Sequence, residues 1–447
     1  MNRMLLIITS LIAAAASQVA AQSLPRIRQI TRVEHFTTDS LASASAVVAL
    51  RDGRILVNDV LGRRVLLFDS TLAHPIVVAD TTSATANAYG ARPGGLIAFR
   101  RDSALFIEPS TLSMFVLGPT GAIARVMAIP RPSDASGLSA ITHTPGVDAQ
   151  NRLVYYSGPV PAPTYWMLSP GTAVTPELRQ RVNTSIDSGF VVAVALDTRN
   201  VDTLTPVRIP RLRTAIVTDA QGGLASIETT PDPLPVIDDW AVLADGSIAI
   251  VRGRDFHVDW IAADGARASS PKLQFDWQRV DDARKAALTD SAVAALQATM
   301  DKIPAARAAA SGAGGSGRGG SGRASSGAAQ PPPRTSNPST GANALAPLIA
   351  VRAAPSDLPD YQPPFAILPG AAGGGAVRAD ADDQLWIRTT AMADGRPVYD
   401  VVNRQGQLVE RVQLPAFRTI AGFGPGVVYA AVKDAAGIVH VERMRVR

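Results

Sequence analysis

Few residues of this chain combine a reactive type with a setting in which they could do chemistry. Asp238 and Asp239 stand side by side ahead of Trp240. Two adjacent carboxylates beside an aromatic ring could hold a cation or a sugar-like hydroxylated ligand. Acidic residues also flank strands simply as solvated turn formers, which is the plainer reading. Arg92, Ser139, His143 and Tyr361 join them as binding candidates, because each precedes or opens an apolar run where a loop would deliver its side chain. Trp166, in the Pro-rich stretch GPVPAPTYWMLSPG, is an aromatic on a long loop and completes the set.

No recognised catalytic set accompanies these candidates. His35, His74, His143, His257 and His440 are scattered without an i, i+4 pair or an HExxH helix, so a zinc hydrolase has no support and no metal site is assigned. There is no G-x-S-x-G elbow, no G-x-G-x-x-G after a strand and no G-x-x-x-x-G-K-[ST] loop. Cysteine is absent, which removes disulfides, thiolate ligands and the lipid-modified Cys of a lipoprotein. No cofactor is expected, although a divalent cation such as calcium would belong to a carboxylate-based alternative.

The elements that must position these residues are short. β-Branched and apolar runs alternate with Gly, Asp and Asn turns, and a repeat emerges when the turns are aligned. Its copies turn first at Asp52 and Gly53, at Asp102 and Ser103, at Asp148 to Asn151, at Asp245 and Gly246, at Asp382 and Asp383, and at Gly424 to Gly426. Where no insertion intervenes, the step lies close to the roughly 40 to 50 residues of a four-stranded propeller blade. The sixth copy holds only three strands before Arg447, whereas Ile27 to Phe36 precedes the first copy as a lone strand. The expected fold is therefore all-β, a six-bladed β-propeller closed by pairing that N-terminal strand with the C-terminal blade. Closure removes the terminal face and free edges that an open stack would leave. Within the third copy, residues 158 to 188 and 211 to 235 have room for an extra hairpin.

Two insertions divide blades one to four (22–279) from blades five and six (346–447). Residues 280–302 place Leu288, Ala292, Leu296 and Met300 on one side of a helix that Pro304 should stop, and that could cover one end of the ring. Residues 303–345 are Gly-, Ser- and Pro-rich and read as a disordered linker. At the N-terminus, Arg3, the apolar run Met4 to Ala16 and the small residues before Gln22 read as a signal peptide over residues 1–21. The expected location is periplasmic or secreted, with no membrane span. The net charge of +5 comes wholly from Arg3 and from Arg307, Arg318, Arg323 and Arg334, so the body is neutral and no nucleic-acid partner is expected.

YGARPGGLIAF at Tyr89 to Phe99, AVLADGSIAIV at Ala241 to Val251, YQPPF at Tyr361 to Phe365, LWIRTT at Leu385 to Thr390 and YDVVNRQGQLVERVQLP at Tyr399 to Pro415 together resemble the exported six-bladed propellers related to NHL-repeat proteins and the TolB-like propeller domain. The resemblance spans nearly all of the chain outside the linker. It implies architecture and export but little about activity, because propellers host many unrelated functions. Related six-bladed lactonases hold a divalent cation with oxygens from several blades. Here none of the six glutamates opens an innermost strand.

The expected function is a monomeric, non-catalytic scaffold that binds a peptide, protein or glycan on the ring face or channel mouth. A cation-dependent hydrolase or lactonase in the channel, with Asp238 and Asp239 foremost, and a cell-envelope assembly component stay open as alternatives.

Overall fold

A computed structural model gives the structure of residues 24–100, 102–139, 143–158, 168–183, 186–312, 346–367 and 375–446. The signal-peptide reading, Trp166 and the linker from residue 313 onward lie outside the described residues.

Six sheets form, and their strands follow the repeat. Blade one runs Ala46–Ala49, Ile55–Asp59, Arg64–Phe68 and Ile76–Ala79; blade two runs Gly95–Phe99, Ser103–Glu108, Ser113–Leu117 and Ile123–Ala128. Blade four holds Asp238–Val242, Ile248–Arg252, His257–Ile261 and Arg267–Ser269, and blade five Val377–Ala379, Leu385–Ala393, Arg396–Val402 and Leu408–Gln413. Blade six supplies Arg418–Gly424, Val427–Lys433 and Val439–Arg445. Every first turn read from the sequence joins an innermost strand to its neighbour.

Alternation along a strand sends successive side chains to opposite faces, and here both faces are covered. In blade one, Ile55 and Val57 pack against Ala421, Tyr429 and Val441 of blade six, while Leu56 packs against Leu96 and Phe106 of blade two. The same sharing recurs at the seams of blades two and three, three and four, four and five, and five and six. The described residues form no single core; they form one apolar seam per blade junction, and the seams close into a circle. This explains why inner strands read as unbroken hydrophobic runs rather than as half-polar ones. The turns fit as closely: at Gly246, with φ +83°, a Cβ would stand 2.1 Å from the Ala149 nitrogen in the neighbouring blade's turn.

Ring closure differs in detail from the expectation of one N-terminal strand. Val33–Phe36 completes blade six by antiparallel pairing with Val439–Arg445, but Ile27–Gln29 adds a parallel strand to the edge of blade five. Buried Thr37 then locks the closure, donating its N–H to the Val441 carbonyl at 2.9 Å and accepting from the Val441 N–H at 3.1 Å. The segment can serve two sheets because blade five and blade six each offer it an outer edge.

Blade three is the irregular one. It holds Gly146–Val147, Leu153–Ser157, Ile186–Val194 and an 18-residue strand Val201–Thr218, which turns back as Leu224–Pro231. This is the extra hairpin for which 211–235 has room. Leu348–Ala350 then pairs in parallel with Leu224–Pro231, so the chain returns from the insertion to blade three before it enters blade five. A satellite core of Val182, Ile216, Leu224, Ile227 and Ala346 supports the extension.

The inserted helix spans Asp282–Gly312 and runs through Pro304 instead of stopping there. Proline removes one backbone hydrogen bond and kinks a helix, but the alanines that follow have the strongest helix propensity. Leu288, Ala292, Leu296 and Met300 do share its less exposed side. The helix contacts Leu224–Pro231 and Leu348–Ala350, the added strands of blade three, and Leu288 packs with Leu234, Val280 and Leu358. Among the described residues, no helix is long and apolar enough to cross a membrane.

Candidate functional site

The innermost strands of all six blades surround one channel of about 490 Å³. Small side chains and backbone form much of its wall, including Ala46, Ala98 and Ala421. Asp148, Asp245 and Asp380 ring it at the first turns, and each is held by protein donors. Asp148 accepts from the Arg152 N–H and its guanidinium, Asp245 from Ser247 and Arg404, and Asp380 from the Gln384 N–H and the Trp386 indole. Arg404 holds the Asp245 carboxyl down at about 2. These acids fix the turns.

Arg378 and Thr144 form the part of the wall that borders a buried polar cluster. Asp239, with no solvent exposure, accepts from the backbone N–H groups of Ala376 at 2.6 Å and Val377 at 2.9 Å through Oδ2. Its Oδ1 accepts from the Trp240 N–H and lies 3.0 Å from His143 Nδ1. The His143 ring lies over Trp240 at 4.3 Å and beside Tyr156 at 5.4 Å. Burial lowers the Arg378 guanidinium below its ordinary value, with the Tyr399 and Asp239 charges acting in the other direction. The wall therefore joins a half-buried cation to an aspartate and histidine pair whose carboxylate is fully committed. Such a wall can orient an anionic or hydrogen-bonding ligand group.

Asp238 and Asp239 do not converge. Consecutive residues of a strand face opposite ways. Asp238 accepts from the Arg208 N–H, the Gly253 N–H and the Arg252 guanidinium, and so ties blade four to blade three. Asp239 ties it to blade five and to His143. Trp240 is buried in the seam between blades three and four. Ser139 is buried, and its Cα would stand 3.0 Å from a Cβ at Gly95, where blade two begins. Arg92 is exposed and donates its backbone N–H to Ser110. Tyr361 does not line the channel; it lies in a separate groove beside Trp277. Of the sequence candidates among the described residues, then, only His143, Asp239 and Trp240 meet. Arg378 and Thr144 were missed, although Arg378 stood in AVRAD as a cation within an inner strand. Among the described residues, no three His, Asp or Glu side chains gather as a metal set.

The sheet order and the shared channel define a β-propeller. No protein-family model and no curated protein matches the chain. Among solved structures, it is similar to a gluconolactonase from Xanthomonas campestris, with 9% identity over 96% of this chain and 99% of that one, at a TM-score of 0.37. Virginiamycin B lyase from Staphylococcus aureus, solved with quinupristin, shares 8% identity over 92% and 89%, at 0.34. A protein from Bacteroides fragilis described as exported shares 7% over 94% and 100%, at 0.37. These scores are too low to carry an activity across, and the architecture rests on the sheets themselves.

Proposed function

We propose that this is an exported, six-bladed binding propeller of the NHL-like and TolB-like kind that takes a peptide or glycan segment into its central channel. The channel volume carries the reading, since it falls within the roughly 300 to 1,000 Å³ of small-ligand sites and is walled by all six blades. Arg378 is the group to meet a ligand carboxylate or carbonyl there. Export rests on the N-terminal residues, and the reading needs no membrane anchor.

The test is calorimetric titration with a panel of short peptides and oligosaccharides, against the native chain and an Ala98→Trp variant that fills the channel from an exposed position on its wall. The reading expects a ligand whose affinity falls at least tenfold in Ala98→Trp at unchanged melting temperature. A ligand indifferent to the filled channel would overturn it.

One observation favours a second reading. An aspartate that orients a histidine beside a channel cation is a general acid–base arrangement, so a hydrolase or lactonase is the enzyme alternative. Turnover of lactone or ester substrates lost in His143→Gln, with binding retained, would select it.

A further inference from the structure

The groove that holds Tyr361 has a volume of about 810 Å³ and a different chemistry from the channel. It lies between the Gly253–Asp255 turn of blade four, the stretch from Lys272 to Trp277 that leaves that blade, and Pro359–Pro363 on the way into blade five. Trp277 and Tyr361 stand 37% and 49% exposed, with ring centroids 6.5 Å apart and planes at 85°. Exposed aromatics are costly to hold in place unless something fixes them, and here the backbone does. The Val280 N–H donates to the Asp360 carbonyl at 2.8 Å and the Gln362 N–H to the Gln278 carbonyl at 2.9 Å, which pins the two segments together. Phe275 supports Trp277 edge-on from below at 5.4 Å.

Charge complements this ledge. Arg208, Arg254 and Lys272 are exposed along the groove. The two carboxylates that line it are engaged, Asp255 with His257 and Lys272, and Asp360 with Lys285. Among the described residues, no carboxylate pairs with Arg208 or Arg254. The groove thus offers a prearranged aromatic ledge and two guanidiniums open to an incoming anion.

We infer that this groove is a second binding site, distinct from the channel, for an acidic glycan of the uronate class. An aromatic ring provides a flat apolar surface for the C–H face of a pyranose. A guanidinium matches a carboxylate with two parallel N–H donors, a fit that a lysine cannot reproduce. Neutral sugars would use only the ledge, and acidic peptides only the cations. A nucleic acid needs a basic track along its backbone, whereas the positive groups here are confined to one groove on a neutral body.

The test is titration of the full chain with trigalacturonate, maltotriose and triglutamate, followed by Trp fluorescence and calorimetry. Expected are saturable binding of trigalacturonate, weakening by salt, and affinities at least tenfold lower for the other two probes. Trp277→Ala and the double variant Arg208→Ala with Arg254→Ala should each weaken trigalacturonate binding at least tenfold at unchanged melting temperature, whereas Ala98→Trp should leave it intact. Absence of saturable trigalacturonate binding, equal binding of maltotriose or triglutamate, or retention of affinity by the arginine double variant would each overturn the inference. Loss of affinity in Ala98→Trp would move the ligand to the channel and overturn it as well.

Discussion

The seam where blades three, four and five meet and the groove beside the Gly253–Asp255 turn of blade four are built from the same residue types, yet they differ in what is left over. At the seam, both oxygens of Asp238 and of Asp239 accept hydrogen bonds from protein groups, and Trp240 and His143 are buried against each other. In the groove, the aromatic pair stays half exposed and two arginines have no acidic partner among the described residues. The difference follows from water. A polar group sealed between sheets must be matched by the protein or cost the fold heavily, whereas one on the rim is matched by solvent and stays available to a ligand. The carboxylates of the seam are therefore structural first, and the arginines of the groove are the freer groups.

That contrast can be broken at several points. Asp239→Ala should have the largest effect, because it strands the Ala376 and Val377 N–H groups and His143 in a dry seam. A loss of about 3 to 5 kcal/mol in urea denaturation is expected, and a loss below about 1 kcal/mol would show that the seam is not sealed.

Asp400 gives the next effect. Burial raises its carboxyl to about 6, against the pull of Arg411. A carboxyl that holds its proton more tightly in the folded than in the unfolded chain is easiest to keep folded when protonated. Its ionisation thus costs stability as pH rises from about 4 to 6, on the order of 3 kcal/mol in total, and the fold recovers it as pH falls. Asp400→Asn should flatten that part of the stability profile; an unchanged slope would mean that Arg411 compensates the buried charge.

Smaller still, Thr37→Val removes the hydroxyl that accepts from Val441 at the ring closure and should cost about 1 to 2 kcal/mol. At the other end, Arg254→Ala in the groove should change stability by no more than about 0.5 kcal/mol. A larger loss there would mean that the groove, too, is structural.

Much of the fold was legible because propeller blades are local. A hairpin of adjacent strands declares itself by its turn residues, so all six first turns, from Asp52 to Gly426, could be placed from those residues and the apolar runs that flank them. The room for an added hairpin after Arg211 was visible for the same reason. Non-local choices were not legible. Nothing in IRQITRVEHF says that its first half pairs with blade five and its second with blade six, because both edges accept the same alternation. Pro304 signalled a helix end, but the alanines that follow and the packing of the helix against blade three decided otherwise.

The site shows the same division. Residue types and their places at strand openings marked His143, Asp239 and Trp240, and the sequence by itself also set the all-β class, the number of repeats and the neutral charge of the body. Only tertiary structure could send Asp238 and Asp239 to different blades, bring Arg378 to the channel wall and set Tyr361 across from Trp277. The reason is physical: a turn is fixed by neighbours in the chain, whereas the partner of a side chain is fixed by which strand the closing of the ring brings alongside it.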